Sequence, residues 1–313
     1  MNRRSAVLPW LRLMRLPNVF TAVADVAMGY LFVHRAVDQP GALACLIAAS
    51  AALYTAGMVL NDVFDFEIDA KERPFRPLPS GQISLAAAQA LGFTLLVIGV
   101  ALGWLAGFLP GVTVGLPWRS GLVASMLAAS VLTYDGFLKN TPIGPLAMGA
   151  CRFLNVLLAM STAPLDRQAL VLGFGPGELL AAAGIGAYIV GVTWFARSEA
   201  GASRGPILLA AMLIMACGVV ILGASAVYAR LHVDPQVYWL LLTLLSFTVL
   251  RRCGTAAFDP KPQKVQLAVK HSILSLIWLD AATALAVAGP VYGIAVAALL
   301  IPALLLGRWV YST

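Results

Sequence analysis

Charge is what this chain has least of. Only 11% of its 313 residues are Asp, Glu, Lys or Arg, against about 25% in an ordinary soluble domain. Apolar residues make up 60%, and no soluble fold of this length needs that much apolar surface. Histidine is also sparse. His34, His232 and His271 stand far apart, which argues against a histidine-based metal centre. The cysteines Cys45, Cys151, Cys217 and Cys253 form no C-x-x-C pair and lie in or beside apolar runs. They read as small buried hydrophobes, not as a disulfide framework or a zinc site. The phosphate loop G-x-x-x-x-G-K, the dinucleotide fingerprint G-x-G-x-x-G, the H-E-x-x-H pair and the nucleophile elbow are all missing, and the chemistries they serve lose their usual support.

Long apolar runs are what the chain has in abundance. They are expected to be transmembrane helices, because a polytopic protein turns apolar faces to lipid and must satisfy its backbone internally. The spans read as 17–36, 42–60, 85–109, 119–134, 143–163, 176–196, 206–228, 235–251, 268–288 and 290–307. Only Gly289-Pro290 separates the last two, so the count is nine or ten. The run 119–134 is short for about 30 Å of hydrocarbon. The basic start "MNRRSAVLPWLRLMRLPN" precedes a long apolar run that further spans follow, so a retained first helix is expected instead of a cleaved signal.

Lys and Arg set the expected orientation. With the N-terminus in the cytosol, only Arg35, Arg119, Arg167 and Arg230 fall outside, Arg152 lies within a span, and the remaining bases face inward. The net charge of +7 then reflects topology and anionic headgroups. Nucleic-acid binding has little support, since no basic domain exists. The polar connections 61–84, 135–142, 197–205 and 251–267 each follow an even-numbered span. A four-helix unit repeated as spans 1–4 and 5–8 is the expected architecture.

The densest polar stretch is "NDVFDFEIDAKERPFR", residues 61–76. Asp62, Asp65 and Asp69 are spaced three and four apart, so a continuing helix puts them on one face, flanked by Asn61. Stacked carboxylates repel unless a cation neutralises them. Hard oxygen donors suit Mg²⁺, which takes one or two carboxylates and leaves positions for phosphate oxygens. Lys71, Arg73 and Arg76 follow and suit a polyanionic phosphate. The plain alternative is a solvated acidic helix end neutralised by its own basic tail.

A second cluster, "YDGFLKNTPIGP", holds Tyr134 and Lys139 as phosphate-binding candidates; an interfacial Tyr anchor and an inward Lys are the alternative. A third, "TWFARSEAGASR", holds Arg197 and Glu199, either completing the first site or forming a loop salt bridge. Within spans lie Asp25, Arg152, Asn155 and Asp280, which are costly in lipid and expected to face the bundle interior. Arg15 and Asn18, at the inner start of span 1, are in reach of the same cavity. Gly103 and Gly107 read as close helix packing.

Together these residues resemble the UbiA superfamily of intramembrane prenyltransferases. "NDVFDFEID" matches the first aspartate motif, N-D-x-x-D-x-x-x-D, without a mismatch; "RPFRPLPSGQIS" is similar to the segment after it; "YDGFLKNTPIG" resembles the Tyr/Lys loop. The resemblance implies one domain over 1–313: an all-α helical bundle around a central cavity, with its motif loops facing the cytosol. It implies an isoprenyl diphosphate donor, a lipophilic and typically aromatic acceptor, surrounding membrane lipids and Mg²⁺. Carried over, Asn61, Asp62, Asp65 and Asp69 hold metal and donor. Arg76, Tyr134 and Lys139 hold the diphosphate, and Asn18, Arg152, Asn155 and Glu199 line the substrate site. Asp62, Asp65, Lys139 and Arg197 are expected to carry the chemistry. The second motif, D-x-x-x-D, reads here "WFARSEAGAS", so Glu199 alone remains as an acid. Arg197 then becomes a candidate fixed charge in place of a second metal. This variant looks like the divergent EboC-like branch. The alternative function is a non-catalytic carrier or binding protein for an isoprenoid or other small lipophilic molecule.

Overall fold

A computed structural model describes residues 3–109, 115–165, 169–197, 205–259, 261–308 and 310. Among them the structure is helical, apart from one isolated bridge between Val171 and Phe174. The helices are α1 (Arg3–Leu13), α2 (Leu16–His34), α3 (Pro40–Phe64), α4 (Phe66–Glu72), α5 (Leu85–Phe108), α6 (Arg119–Thr133), α7 (Gly144–Met160), α8 (Pro176–Arg197), α9 (Gly205–Ala224), α10 (Pro235–Phe258), α11 (Pro262–Ala288), α12 (Pro290–Ala297) and α13 (Leu300–Gly307). Proline opens the first turn of α2, α3, α7, α10, α11 and α12, where its missing N–H costs nothing. Ser84 and Asp234 cap α5 and α10 by accepting from the amides of Ala87 and Gln236.

Nine of the described helical segments have the length and apolarity to cross a membrane. The helix α7, with 17 residues, is shorter but still travels the full depth. It starts beside the end of α6, and Ser161, just past its end, bonds Ser120 at the start of α6. Several limits move relative to the sequence reading. The polar stretch 251–258 is the end of α10, and α11 begins at Pro262, so these residues extend helices that were expected to stop at 251 and start at 268. The last span is two short helices, α12 and α13.

The order of neighbours repeats. The pair α3–α5 and the pair α8–α9 are the most extensive contacts, and each occupies the same place in its half. Glycine permits both. A methyl at Gly99 of α5 would stand 2.6 Å from Leu53 Cγ of α3, and one at Gly184 of α8 would stand 2.5 Å from the Leu222 amide of α9. Gly103 and Gly107 meet Ala124 and the Pro117 carbonyl in the same close manner, as small residues do between membrane helices.

Arg35 donates to the Arg230 carbonyl at 2.7 Å, which places the ends of α2 and α9 together, opposite the aspartate stretch. Arg119, counted among the outer charges and first in its span, is fully buried. Its guanidinium donates to the carbonyls of Ser161, Gly173 and Ala163 and lies 4.8 Å from the Phe174 ring centroid. It acts as a strut between the start of α6 and the connection after α7.

Candidate active site

The second span runs further than its apolar residues suggest. Asn61 and Asp62 occupy the last turn of α3, which ends at Phe64. Asp65 leaves helical geometry with φ −89° and ψ 4°. The amide of Asp65 still bonds the Asn61 carbonyl at 3.0 Å, and that of Asp69 bonds the Asp65 carbonyl at 2.8 Å. The turn therefore passes through the break into α4, and Asp62 and Asp69 are both buried.

Each aspartate meets a cation from elsewhere in the chain. Arg15 Nη2 donates to Asp62 Oδ1 at 3.0 Å. Arg15 joins α1 to α2 in the left-handed region, φ 45°, a conformation that costs about 1–3 kcal/mol outside glycine. Arg76 Nη1 lies 2.5 Å from Asp69 Oδ2 and 3.5 Å from Asp62 Oδ1, bridging the two. Lys139 Nζ stands 2.7 Å from Asp65 Oδ1. The cluster thus pairs Asp62, Asp65 and Asp69 with Arg15, Arg76 and Lys139. The motif 61–76 supplied its own Arg76. Arg15 is a partner that spacing alone did not assign.

Lys139 reaches Asp65 because α6 does not end in an ordinary loop. Residues Tyr134–Leu138 form a π turn, closed by the Lys139 amide on the Tyr134 carbonyl at 2.9 Å. The wider turn re-aims the side chains that follow, as π turns do at functional sites. Asp135 points back to α3 and accepts from Asn61 Nδ2 at 2.8 Å. The sequence signal for Asp135 is its place one residue after Tyr134 in that loop.

Arg197, at the end of α8, fastens this same segment. Its Nη1 donates to the Thr141 carbonyl at 2.7 Å and its Nη2 to the Lys139 carbonyl. Gly144 leaves room for it: an added Cβ would overlap Arg197 Nη2 and stand 2.6 Å from the Leu138 carbonyl. Glu199, with Ser198 and Ser203, lies outside the described residues.

A cavity between α2, α3, α6 and α7 adjoins the cluster through Asp135, the partner of Asn61. Leu53, Tyr54, Gly57, Met58, Leu127, Val131, Met148 and Cys151 make its walls; Tyr134 and Asp135 stand at one end, and Ser50, Arg152 and Asn155 line it deeper in the bundle. The deep group is a linked network, with Asp25 Oδ1 and both Asp280 carboxylate oxygens buried and without a hydrogen-bond partner among the described residues. Arg152 pairs with Asp25 at 2.5 Å and donates to Thr21. Asn155 donates to Asp25 at 3.0 Å and accepts from Ser50 at 2.6 Å. Asp280 of α11 is fully buried nearby. Asn18, by contrast, bonds only through its backbone among the described residues, its amide to the Arg15 carbonyl at 2.9 Å and its carbonyl to the Thr21 hydroxyl.

The donor set is hard oxygen, as Mg²⁺ requires. Among the described residues, no three acidic, His or Cys side chains converge on one point as a ready-made metal cage. The arrangement suits an ion that takes one or two protein carboxylates and completes its shell with phosphate oxygens and water.

The structure thus holds an acid-and-base cluster beside an apolar cavity inside a bundle of membrane-length helices. Comparison makes the class specific. Residues 22–254 match the UbiA prenyltransferase family, and the chain belongs to that family. The digeranylgeranylglyceryl phosphate synthase of Metallosphaera sedula is 33% identical over 135 residues, 43% of this chain and 44% of that protein. The chain thus spans less than half the length of this relative. Two solved structures share the fold. A UbiA homologue from Aeropyrum pernix gives a TM-score of 0.61 at 17% identity, covering 84% of this chain and 96% of that one. A UbiA homologue from Archaeoglobus fulgidus bound to DMAPP and Mg²⁺ gives 0.58 at 15%, covering 92% and 99%.

Proposed function

We propose that this protein is a membrane prenyltransferase that moves an isoprenyl group from an isoprenyl diphosphate to a lipophilic acceptor. The observation that carries this reading is the Asp62/Asp65/Asp69 cluster with Arg15, Arg76 and Lys139, joined to an apolar cavity through the Asn61–Asp135 bond. The homologue solved with DMAPP and Mg²⁺ supports the choice of ligands. The reading includes one domain over 1–313 with the cluster facing the cytosol, where most Lys and Arg fall.

Charge balance gives the residues their roles. The cluster is neutral as it stands, with each carboxylate matched by a base. A prenyl diphosphate adds about three negative charges, so it enters only with compensating positive charge. Asn61, Asp62, Asp65 and Asp69 would hold Mg²⁺, and their three basic partners would turn to the diphosphate oxygens. When bound, Mg²⁺ supplies the charge stabilisation that lets diphosphate leave the allylic carbon. The apolar walls keep water from the resulting allylic cation. Asp135 is the acid that lines the cavity among the described residues, and it is placed to take the proton released when the acceptor adds. Arg197 acts by holding the Lys139 segment in position, a positioning role and not a direct charge on phosphate.

The test is release of diphosphate from farnesyl or geranylgeranyl diphosphate by the purified protein, with membrane lipid extract as the acceptor source. Release that requires Mg²⁺ is expected. Absence of both release and Mg²⁺-dependent donor binding would overturn the proposal.

A further inference from the structure

Away from the central cavity, a second hollow opens on the outer surface between α10 and α11. Phe247, Thr248, Arg251, Arg252, His271 and Trp278 line it. It lies at the same end of the bundle as the aspartate cluster, because α9 starts where α8 ends and Gly205 there sits beside the Ala257 carbonyl. The outer face of α10 is built for hydrocarbon: Leu240, Leu244 and Phe247 are 58%, 54% and 64% exposed.

Two adjacent arginines on such a helix stand out. Arg251 and Arg252 are exposed, and no acidic side chain among the described residues pairs with either. The nearby bases Lys261 and Lys264 share Asp259, at 3.2 and 2.7 Å. His271 Nε2 is buried in the hollow with no hydrogen-bond partner among the described residues. Below this polar rim, Phe247 and Trp278 expose aromatic surface. A cationic rim and a buried, unanswered ring nitrogen stand above an apolar flank, at the boundary where lipid headgroups meet acyl chains.

We propose that the α10–α11 hollow binds an anionic glycerophospholipid of the surrounding membrane. Its phosphate would lie on Arg251, Arg252 and His271 Nε2, and one acyl chain would run along Phe247 and Trp278. Charge complementarity selects the headgroup, and the aromatic flank selects a lipid over a free phosphate. General attraction of the inward face for anionic lipid is a weaker effect that any exposed basic pair would share.

Native mass spectrometry of the full-length protein, purified with an equal mixture of phosphatidylglycerol and phosphatidylcholine, tests the proposal. Wild type should retain one phosphatidylglycerol with a preference of about tenfold. Arg251→Gln with Arg252→Gln should abolish that preference. Lys261→Gln with Lys264→Gln removes the same formal charge outside the hollow and should preserve it. Trp278→Ala should weaken retention without favouring phosphatidylcholine. Equal retention of the two lipids by wild type overturns the proposal, as does equal loss in the arginine and lysine variants. Displacement of the lipid by millimolar inorganic phosphate, with Trp278→Ala unchanged, also overturns it, because the hollow would then read only an anion.

Discussion

Replacing Arg197 by lysine keeps the charge and removes the fork. In the structure the fork is what matters, since two guanidinium nitrogens bind the carbonyls of Lys139 and Thr141. Hydrogen bonds to charged groups contribute about 1.5–3 kcal/mol each. These two are partly exposed, so the lower end applies and the pair is worth about 3 kcal/mol. An ammonium reaches one carbonyl at a time and forfeits about half of that. If the loss falls on the donor-bound arrangement of the Lys139 segment, donor affinity drops about tenfold in Arg197→Lys and about a hundredfold in Arg197→Ala. Gly144→Ala should reproduce much of the effect, because its Cβ would displace Arg197 Nη2. The assay is a titration of radiolabelled prenyl diphosphate with the protein in nanodiscs, alongside hydrogen exchange over residues 134–143. Faster exchange in that segment should accompany each loss of affinity. Full affinity in Arg197→Lys beside a large loss in Arg197→Ala would refute the strut and restore a direct charge on phosphate.

Removing one member of a buried ion pair leaves the other stranded, at a cost of about 3–5 kcal/mol. Arg152→Met should therefore lower thermal stability in detergent sharply, and the added Asp25→Asn should recover part of it; no recovery would mean that Asp25 is not its partner. Arg119→Met strands the carbonyls of Ser161, Gly173 and Ala163 and should destabilise by about 3 kcal/mol or more without altering the donor affinity of the protein that remains folded. Asp135→Asn should cut turnover at least tenfold, a modest part of what a positioned base contributes, while donor binding stays within about twofold; unchanged turnover would remove Asp135 from the reaction.

The helices were legible because apolar runs this long have few other uses, and because proline and polar residues punctuate them. Their ends were less legible. The run 251–258 carries Arg251 and Arg252 and looks like a loop, yet α10 continues through it to Phe258. Hydropathy measures solvent preference, whereas helical hydrogen bonding continues past the membrane boundary. The acids of the site were readable from their three-and-four spacing. Their partners were not, because Arg15 meets Asp62 across 47 residues of sequence. Nothing in "TYDGFLK" announces the π turn that aims Lys139 and Asp135. Arg197 was read as a charge because its residue type suggested it. Only the fold reveals that its nitrogens face backbone carbonyls. The burial of Arg119 was hidden for a related reason, since a cation at a helix start looks solvated until the carbonyls around it are seen.

The central claim is that Asp62 and Asp65 hold an isoprenyl diphosphate through Mg²⁺ for transfer. The most direct measurement follows diphosphate release and equilibrium donor binding together, at saturating Mg²⁺ and after chelation, for wild type, Asp62→Asn and Asp65→Asn. The account predicts Mg²⁺-dependent release by wild type, loss of about a thousandfold or more in each variant, and loss of both activities on chelation. Turnover that survives in both variants would contradict it, and so would donor binding in wild type that never leads to release with any acceptor, the behaviour of a carrier.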